Sequence, residues 1–458
     1  MSEAAVKKKV GKDLTEGVIY KQLMQFAIPM IFTNVIQQLY SMVDLMVIGL
    51  FVGSVGTVGV STGGEVSDLM TPVATSVAMA GQIYIAQLAG AKDEKKMKEA
   101  IGTMLSLMML TSVVCMILPI MFYRQILGWL NCPAEAFGQA SSYMIITCLG
   151  MPFIFGYNAV CAMLRGMGES KRPLIFVSVA AVVNVVLDLI FVVWIPLEAA
   201  GTAIATVGSQ FGAFAAAFYF MNRHKEHFDF ELKLSYFKIK WQHMRVMLLL
   251  GIPQLIRQFC VRFSMLWVKA NINSYGLVAS ATYSVGNKIE KFVDVFFNGV
   301  TGAGSAMIGQ NLGARKLGRV KKTQNITLLY SMIFGALGAA AFLLFPRQLF
   351  RCFTSDAAVI EYGVTYLRIM ALGCFIHSVV SAYKCMATGA GEAGLSFVIG
   401  VLDGVSRIAV CLFTIYVLHM DVTGYFWGAA LCHIFPGLVS FAYYASGKWK
   451  TKKLLTGE

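Results

Sequence analysis

The chain has 458 residues, of which 57% are hydrophobic and only 14% are charged, and its mean hydropathy is +0.67. Too few polar groups are present to cover a water-soluble protein, so the composition excludes that class and predicts an integral membrane protein. The formal net charge of +14 would also suit a nucleic-acid-binding protein, but its distribution along the chain, described below, excludes a nucleic-acid partner.

The first 20 residues carry lysines and acids and lack the apolar core of a cleavable signal peptide, so they are predicted to be a cytoplasmic amphipathic lead-in. Beyond them, four charge-free stretches are long enough to cross a bilayer of about 30 Å at about 1.5 Å per residue. These stretches are 101–123, 199–222, 323–346 and 422–447. Eight less apolar spans are predicted at 22–50, 58–89, 138–163, 173–196, 245–274, 278–308, 360–386 and 395–419, which gives twelve in total.

Residues of the first half recur in the second half at a constant offset of 223 positions. Gly166 recurs as Gly389, Gly63 as Gly286, and the same offset holds for Gly168, Glu169, Gln87 and Gly201. We therefore predict an all-α polytopic membrane protein with twelve transmembrane helices in two pseudo-symmetric six-helix bundles. The expected divisions are the lead-in 1–20, an N-lobe 21–222, a cytoplasmic linker 223–242, a C-lobe 243–447 and a basic cytoplasmic tail 448–458.

Basic residues lie almost entirely on one side of the predicted spans. Connections on the side of the termini hold 28 Lys and Arg residues, and the opposite connections hold 3. This asymmetry predicts that both termini and the linker are cytoplasmic in the plasma membrane of a prokaryote. The positive charge is then expected to contact anionic lipid headgroups.

Ionisable groups inside membrane spans are costly and are candidates for function. Gln37, Tyr40 and Asp44 share one face of the first span, and Asn184 and Asp188 share one face of the fifth. With a hydroxyl from Thr202 or Thr206, these side chains form an oxygen-rich set that suits a proton or a small hard cation.

Two carboxyl groups in one desolvated pocket cannot both ionise easily, because burial and like charge disfavour the doubly charged state. Such a pair can bind and release a proton, and a cationic substrate would compete for the same negative site. Pro29 removes a backbone hydrogen bond within the first span, so we expect that helix to bend there.

The second half lacks acids at the positions that match Asp44 and Asp188, and it is expected to be functionally quiet. Four charges of the eighth span, Lys288, Glu290, Lys291 and Asp294, are expected to pair with one another. Arginines of this half, including Arg257 and Arg262, could instead receive an anionic substrate. Separately, His224 and Asp229 match a short acyltransferase pattern, which is more typical of a solvated loop.

Several segments together resemble the multidrug and toxic compound extrusion (MATE) exporters: 39–44 with Ile48 and Gly49, 164–173, 184–188 and 308–314. The resemblance extends over about residues 20–445. It implies two six-helix bundles that rock during cation-coupled export. It also assigns a cation site to Asp44, Asn184, Asp188 and Thr206, places Gln37, Tyr40 and Asn158 at the substrate cleft, and makes Pro29 the bending residue of the first helix.

The resulting hypothesis is a secondary active antiporter, not an enzyme, that exports cationic amphipathic drugs or toxins in exchange for H+ or Na+. We expect a monomer with no cofactor apart from the coupling ion. A lipid-linked oligosaccharide flippase of the same superfamily is the alternative, because cationic side chains in the second half would suit an anionic substrate. A membrane-embedded acyltransferase, based on His224, is the third hypothesis.

Overall fold

The computed structural model describes residues 12–223, 238–451 and 455. The pair His224 and Asp229 lies outside the described residues, as do residues 1–11 of the predicted lead-in and most of the predicted linker and tail.

Within the described residues the chain forms sixteen α-helices. They are α1 (Ile19–Phe51), α2 (Gly53–Ala91), α3 (Glu94–Met121), α4 (Tyr123–Trp129), α5 (Phe137–Leu149), α6 (Met151–Gly166), α7 (Lys171–Asp188), α8 (Glu198–Arg223), α9 (Trp241–Asn273), α10 (Leu277–Gly313), α11 (Leu317–Leu344), α12 (Pro346–Arg351), α13 (Ala357–Gly389), α14 (Ala393–Leu412), α15 (Thr423–Leu431) and α16 (Ile434–Ser446).

Ten helical segments of the described chain are long and apolar enough to cross a membrane, and α5 with α6 forms an eleventh span that is bent by 44°. The remaining predicted span corresponds to α10, which has 37 residues, carries the charges of Lys288, Glu290, Lys291 and Asp294, and is not among those eleven. The all-α class and the twelve membrane helices predicted from the sequence are thus confirmed. The break between α15 and α16, at Cys432 and His433, was not predicted.

The chain divides into two compact units. Unit 1 contains Phe32–Gly251, and unit 2 contains Leu14–Ile31 and Ile252–Glu458. Helices α1 and α9 each pass from one unit to the other, just after Pro29 in α1 and just before Pro253 in α9. A proline inside a helix removes one backbone hydrogen bond, so each of these helices has a bending point next to its change of unit.

Details of the backbone repeat at the offset seen in the sequence. The last turn of α7 continues into a wider π-helical turn, Leu189–Trp194, and α14 continues in the same way into Phe413–Val417. Gly168 and Gly391 both have positive φ angles, 86° and 70°. Because L-residues rarely adopt this conformation, glycine is required at both turns.

Glycines bring α7 and α8 close together in unit 1. A Cβ atom at Gly201 would lie 2.3 Å from the backbone oxygen of Phe191, and one at Gly208 would lie 3.0 Å from Leu187. In lipid, where helices gain little from hydrophobic burial against each other, such close approach provides the packing that holds them together. It fixes the end of α7, where Asp188 lies, against α8.

Candidate functional site

Asn184 and Asp188 lie one turn apart on α7, and neither side chain is exposed to solvent. Asp188 is the last residue before the π-helical turn Leu189–Trp194. Such turns interrupt the regular α-helical register and often occur at functional sites. The sequence prediction that these two residues share a face is confirmed by this placement.

The second acid, Asp44, lies on α1. Its carboxyl group interacts with the carboxyl group of Asp188 of α7. Tyr40, one turn earlier on α1, interacts with Asp44 and with the side chain of Gln210 on α8. The structure therefore brings together the two acids that the sequence analysis paired.

Several buried polar atoms on α1, α7 and α8 have no hydrogen-bond partner among the described residues. They are Asp44 Oδ1, both polar atoms of Asn184, both carboxylate oxygens of Asp188, and the hydroxyls of Thr202 and Thr206. A buried polar group without a partner costs about 1–3 kcal/mol, so such groups are normally satisfied. Because six of these seven atoms are oxygens, the set is suited to a proton or a hard cation.

Thr202 and Thr206 lie one turn apart on α8, the helix that packs against α7. Thr202 is fully buried and Thr206 is partly buried. The sequence left open which of the two hydroxyls joins the acids, and the resemblance favoured Thr206. Neither hydroxyl has a hydrogen-bond partner in the part of the chain that the structure describes.

Of the residues predicted to line the substrate cleft, Gln37 is partly buried on α1, one turn before Tyr40. Asn158 lies on α6, and its side-chain amide donates to the backbone oxygen of Ile154 at 2.8 Å. The structure thus gives Asn158 a partner in its own helix. Its assignment to the substrate cleft stays a prediction.

Sequence reasoning missed Tyr143 and Gln210. Tyr143, on α5, interacts electrostatically with Asp44, Asp188 and Tyr40. The internal repeat contained a signal for Tyr143, because a second tyrosine, Tyr366, lies 223 positions later. A Cβ at Gly63 would lie 3.2 Å from the ring of Tyr143, and 223 residues later a Cβ at Gly286 would lie 2.2 Å from the ring of Tyr366.

Unit 2 is less quiet than the sequence analysis predicted. Among the described residues the acids of α10 form no salt bridge with the lysines of their own helix, so that expectation was wrong. The Tyr366 hydroxyl donates to Glu290, and the His377 Nδ1 lies 3.1 Å from the Asp294 Oδ1. Both partners belong to α13. The acids of α10 face that helix, whereas Lys288 and Lys291 are exposed.

A second buried charge cluster in unit 2 surrounds Asp403 on α14. The Lys384 Nζ lies 2.8 Å from one carboxylate oxygen of Asp403. The Arg407 Nη2 and the His433 Nδ1 lie 3.6 Å and 3.3 Å from the other oxygen. Arg407 occupies the position that matches Asn184 in the repeat, so a buried cation in the second half stands where the first half has a neutral amide.

Comparisons with known proteins agree with this architecture. A family profile described as MatE matches residues 29–190 and 253–413. The chain is 24% identical over 443 residues to the probable multidrug resistance protein YoeA of Bacillus subtilis, covering 95% of each chain. It is also 24% identical to the probable multidrug resistance protein NorM of Thermotoga maritima, covering 96% of this chain and 95% of the relative.

Among solved structures, one described as the outward-facing conformation of a multidrug resistance MATE family transporter of the MOP superfamily superposes with a TM-score of 0.91. The match covers 97% of this chain and all of the other, at 18% sequence identity. At this identity the match establishes the shared fold.

Proposed function

The chain belongs to the MatE family, and we propose that it is a secondary active antiporter that exports cationic amphipathic compounds in exchange for H+ or Na+. Proteins of this family are transporters, so the acyltransferase hypothesis is set aside. The names of the relatives, which describe multidrug resistance and multidrug export, support small organic compounds as substrates.

The observation that carries the proposal is the interaction of Asp44 with Asp188, together with buried polar atoms of Asn184, Thr202 and Thr206 that have no hydrogen-bond partner among the described residues. Two ionised carboxylates offer only acceptors to each other, so the pair needs a proton or a cation between them. A proton on either acid provides the missing donor. Na+ would instead be coordinated by carboxylate, amide and hydroxyl oxygens, which Asn184, Thr202 and Thr206 offer in addition.

Exchange follows when the coupling ion and the substrate compete for the same negative charge. Loading the acids with H+ or Na+ removes the attraction for a cationic substrate, and unloading restores it. A ligand shifts a conformational equilibrium only if it binds one state more tightly, so the ion drives transport only through unequal affinity for the inward and outward states.

Helix α1 offers a connection between the acid pair and a conformational change. It carries Asp44 in unit 1, and Pro29 lies just before the point at which the helix leaves unit 2. We infer that bending at Pro29 accompanies the change in charge of Asp44. Gln37 and Tyr40, on the same face of α1 as Asp44, would then contact the substrate as the helix moves.

The experiment is ethidium efflux from proteoliposomes, with a Na+ gradient and a pH gradient imposed separately. We expect efflux with one gradient and its loss in the variants Asp44→Asn and Asp188→Asn. Asp421→Asn, which changes an exposed aspartate before α15, is the matched control and should retain efflux. Intact gradient-driven efflux in both acid variants would overturn the assignment.

We propose a monomer in the plasma membrane of a prokaryote. Both termini are proposed to be cytoplasmic, because basic residues concentrate on that side of the spans. A flippase for lipid-linked oligosaccharides would need cationic groups available to an anionic headgroup. In unit 2, Lys384 and Arg407 are already engaged by Asp403. This pairing favours the exporter.

A further inference from the structure

Four titratable side chains form a continuous row inside unit 2. The Asp294 Oδ1 lies 3.1 Å from the Nδ1 of His377, whose ring stacks on that of His433 with centroids 4.3 Å apart and planes 14° apart. The His433 Nδ1 lies 3.3 Å from the Asp403 Oδ1. Side-chain exposure falls along the row, from 37% at Asp294 through 25% and 15% to 4% at Asp403. The row therefore leads from an accessible surface into the core.

The two ends of the row differ in charge balance. Asp403 already has two cationic partners, Lys384 and Arg407, so its charge is compensated without a protonated histidine. Asp294 has His377 as its ion-pair partner. Among the described residues, Asp294 forms no salt bridge with a Lys or Arg. Its carboxylate would therefore stabilise a positive charge on His377.

Stacking limits the histidine pair to one proton. Two unit charges about 4 Å apart repel by about 1–4 kcal/mol at the dielectric constants of water and of a protein surface. Groups that interact this strongly titrate as a pair in two separate steps. A proton on one ring therefore opposes a proton on the other.

The other charged groups around the pair determine which ring holds the proton. Lys384 of α13 and Arg407 of α14 lie on the His433 side, and Arg257 of α9 acts on Asp403. In addition, α16 begins at His433, so the positive end of that helix faces this ring. On the His377 side is Asp294 of α10, which interacts with Glu290 of the same helix, and Arg407 also acts on Glu290. The surroundings favour a cation at His377 and a neutral ring at His433.

We propose that unit 2 contains a proton-binding site, in which His377 accepts one proton with Asp294 as its counter-ion while the stacked His433 stays neutral. The site is separate from the acid pair of unit 1 and has no equivalent in the first half, where the repeat positions of His377 and Asp403 are Ile154 and Ala180. Asp403, Cys432 and His433 also place ligand atoms within 4.8 Å of one another, but Lys384 and Arg407 disfavour a metal cation there.

The test is a proton count on the purified full chain in detergent, by acid–base titration between pH 8 and about pH 5, where histidine changes its charge. Relative to the wild type, His377→Gln should take up one proton fewer and His433→Gln the same number. His419→Gln, which removes an exposed histidine in the loop before α15, is the matched control for the loss of one imidazole. An unchanged count for His377→Gln, or a loss for His433→Gln, would overturn the proposal.

If either variant does not survive purification, ring ¹⁵N spectra of the histidine-labelled wild type decide the question, because the chain has only six histidines. The stacked pair should show one charged and one neutral ring near pH 6. Two neutral rings or two charged rings would contradict the site. The variant Asp44→Asn/Asp188→Asn should keep this proton, so failure of the antiport proposal and failure of this one are distinguishable.

Discussion

Asp188 is fully buried, and the charged side chain that acts on its carboxyl group, among the described residues, is another acid, Asp44. Neither carboxylate oxygen of Asp188 has a hydrogen-bond partner among the described residues. A protein keeps such an arrangement at a cost in stability, and functional sites are where that cost is usually retained.

The first prediction follows from this cost. Asp188→Asn should raise the midpoint of thermal unfolding by a few degrees at pH 8, because the amide removes like-charge repulsion and can donate to Asp44. The same variant should lose coupled efflux. Thermal unfolding of the purified protein, followed by fluorescence in detergent, checks the stability. A lower midpoint than the wild type would show that the two acids are not in conflict.

The coupling ion gives a second prediction from the same atoms. If Na+ binds between Asp44 and Asp188, replacing K+ with Na+ in the buffer should stabilise the wild type and leave Asp188→Asn unaffected, because a ligand stabilises the state that binds it. If the proton is the coupling ion, the two salts should give the same midpoint in both proteins. Asp421→Asn is the matched control and should follow the wild type.

A third prediction concerns the glycines of the repeat. A Cβ at Gly166 would lie 2.8 Å from the backbone oxygen of Gln82, and a Cβ at Gly389 would lie 2.7 Å from that of Ser305. Backbone cannot yield as a flexible side chain can, so Gly166→Ala should destabilise unit 1 by about 1–3 kcal/mol. Gly138→Ala, where nothing lies within 4 Å, is the control. Equal thermal stability of the two variants would contradict this packing.

The sequence predicted the parts of the fold that depend on local periodicity and on the repeat. Span positions follow from apolar length, and pairs such as Gly166 and Gly389 recur because each half packs the same helix against the same backbone carbonyl. The acid pair was also predictable, because a charge inside an apolar span is costly and is retained mainly where it serves function.

The second-half cluster was not predictable in the same way. Lys384 and Asp403 belong to different helices, and their 2.8 Å contact depends on tertiary packing that no periodicity specifies. The break at Cys432 and His433 lies in a charge-free apolar stretch, so hydropathy predicted one continuous helix. His433 reaches Asp403 at this break.

The fourth prediction concerns the start of α3. Asp93 is its N-cap, and its side chain accepts from the backbone N–H of Lys96 at 3.0 Å. This hydrogen bond, with the nearby Lys96 ammonium, lowers the pKa of the Asp93 carboxyl. The charged form therefore stabilises the fold above the ordinary aspartate pKa, and the contribution is lost as the pH falls through the lowered value.

Asp93→Ala should accordingly cost about 1 kcal/mol at neutral pH and less in acid, whereas Asp93→Asn should retain most of the cap because an amide oxygen also accepts from Lys96. The measurement is the midpoint of thermal unfolding at neutral and acid pH. A cost for Asp93→Ala that does not change with pH would show that the charge is not involved.

The last prediction concerns the segment that precedes α1 in unit 2. The backbone N–H of Leu14 donates to the Gln310 side chain at 3.1 Å, and the Asn311 side-chain amide donates to the Leu14 oxygen at 3.1 Å. Arg319 donates to the backbone oxygen of Gly17 at 2.8 Å. The sequence motif around Gln310, which carried part of the family resemblance, therefore anchors the chain just before the helix that holds Asp44.

Asn311→Ala should weaken this anchor, because the Leu14 oxygen loses its amide donor and keeps the Arg319 Nη2 at 3.3 Å. In a Leu14→Cys background, we expect the cysteine, now at a position that is 1% exposed, to react faster with a water-soluble maleimide by about tenfold, which corresponds to about 1.4 kcal/mol. Asn325→Ala, which removes the partner of the Tyr444 hydroxyl on the same unit, should leave the rate unchanged. Equal rates in both variants would mean that packing around Leu14, and not the side chain of Asn311, holds the segment.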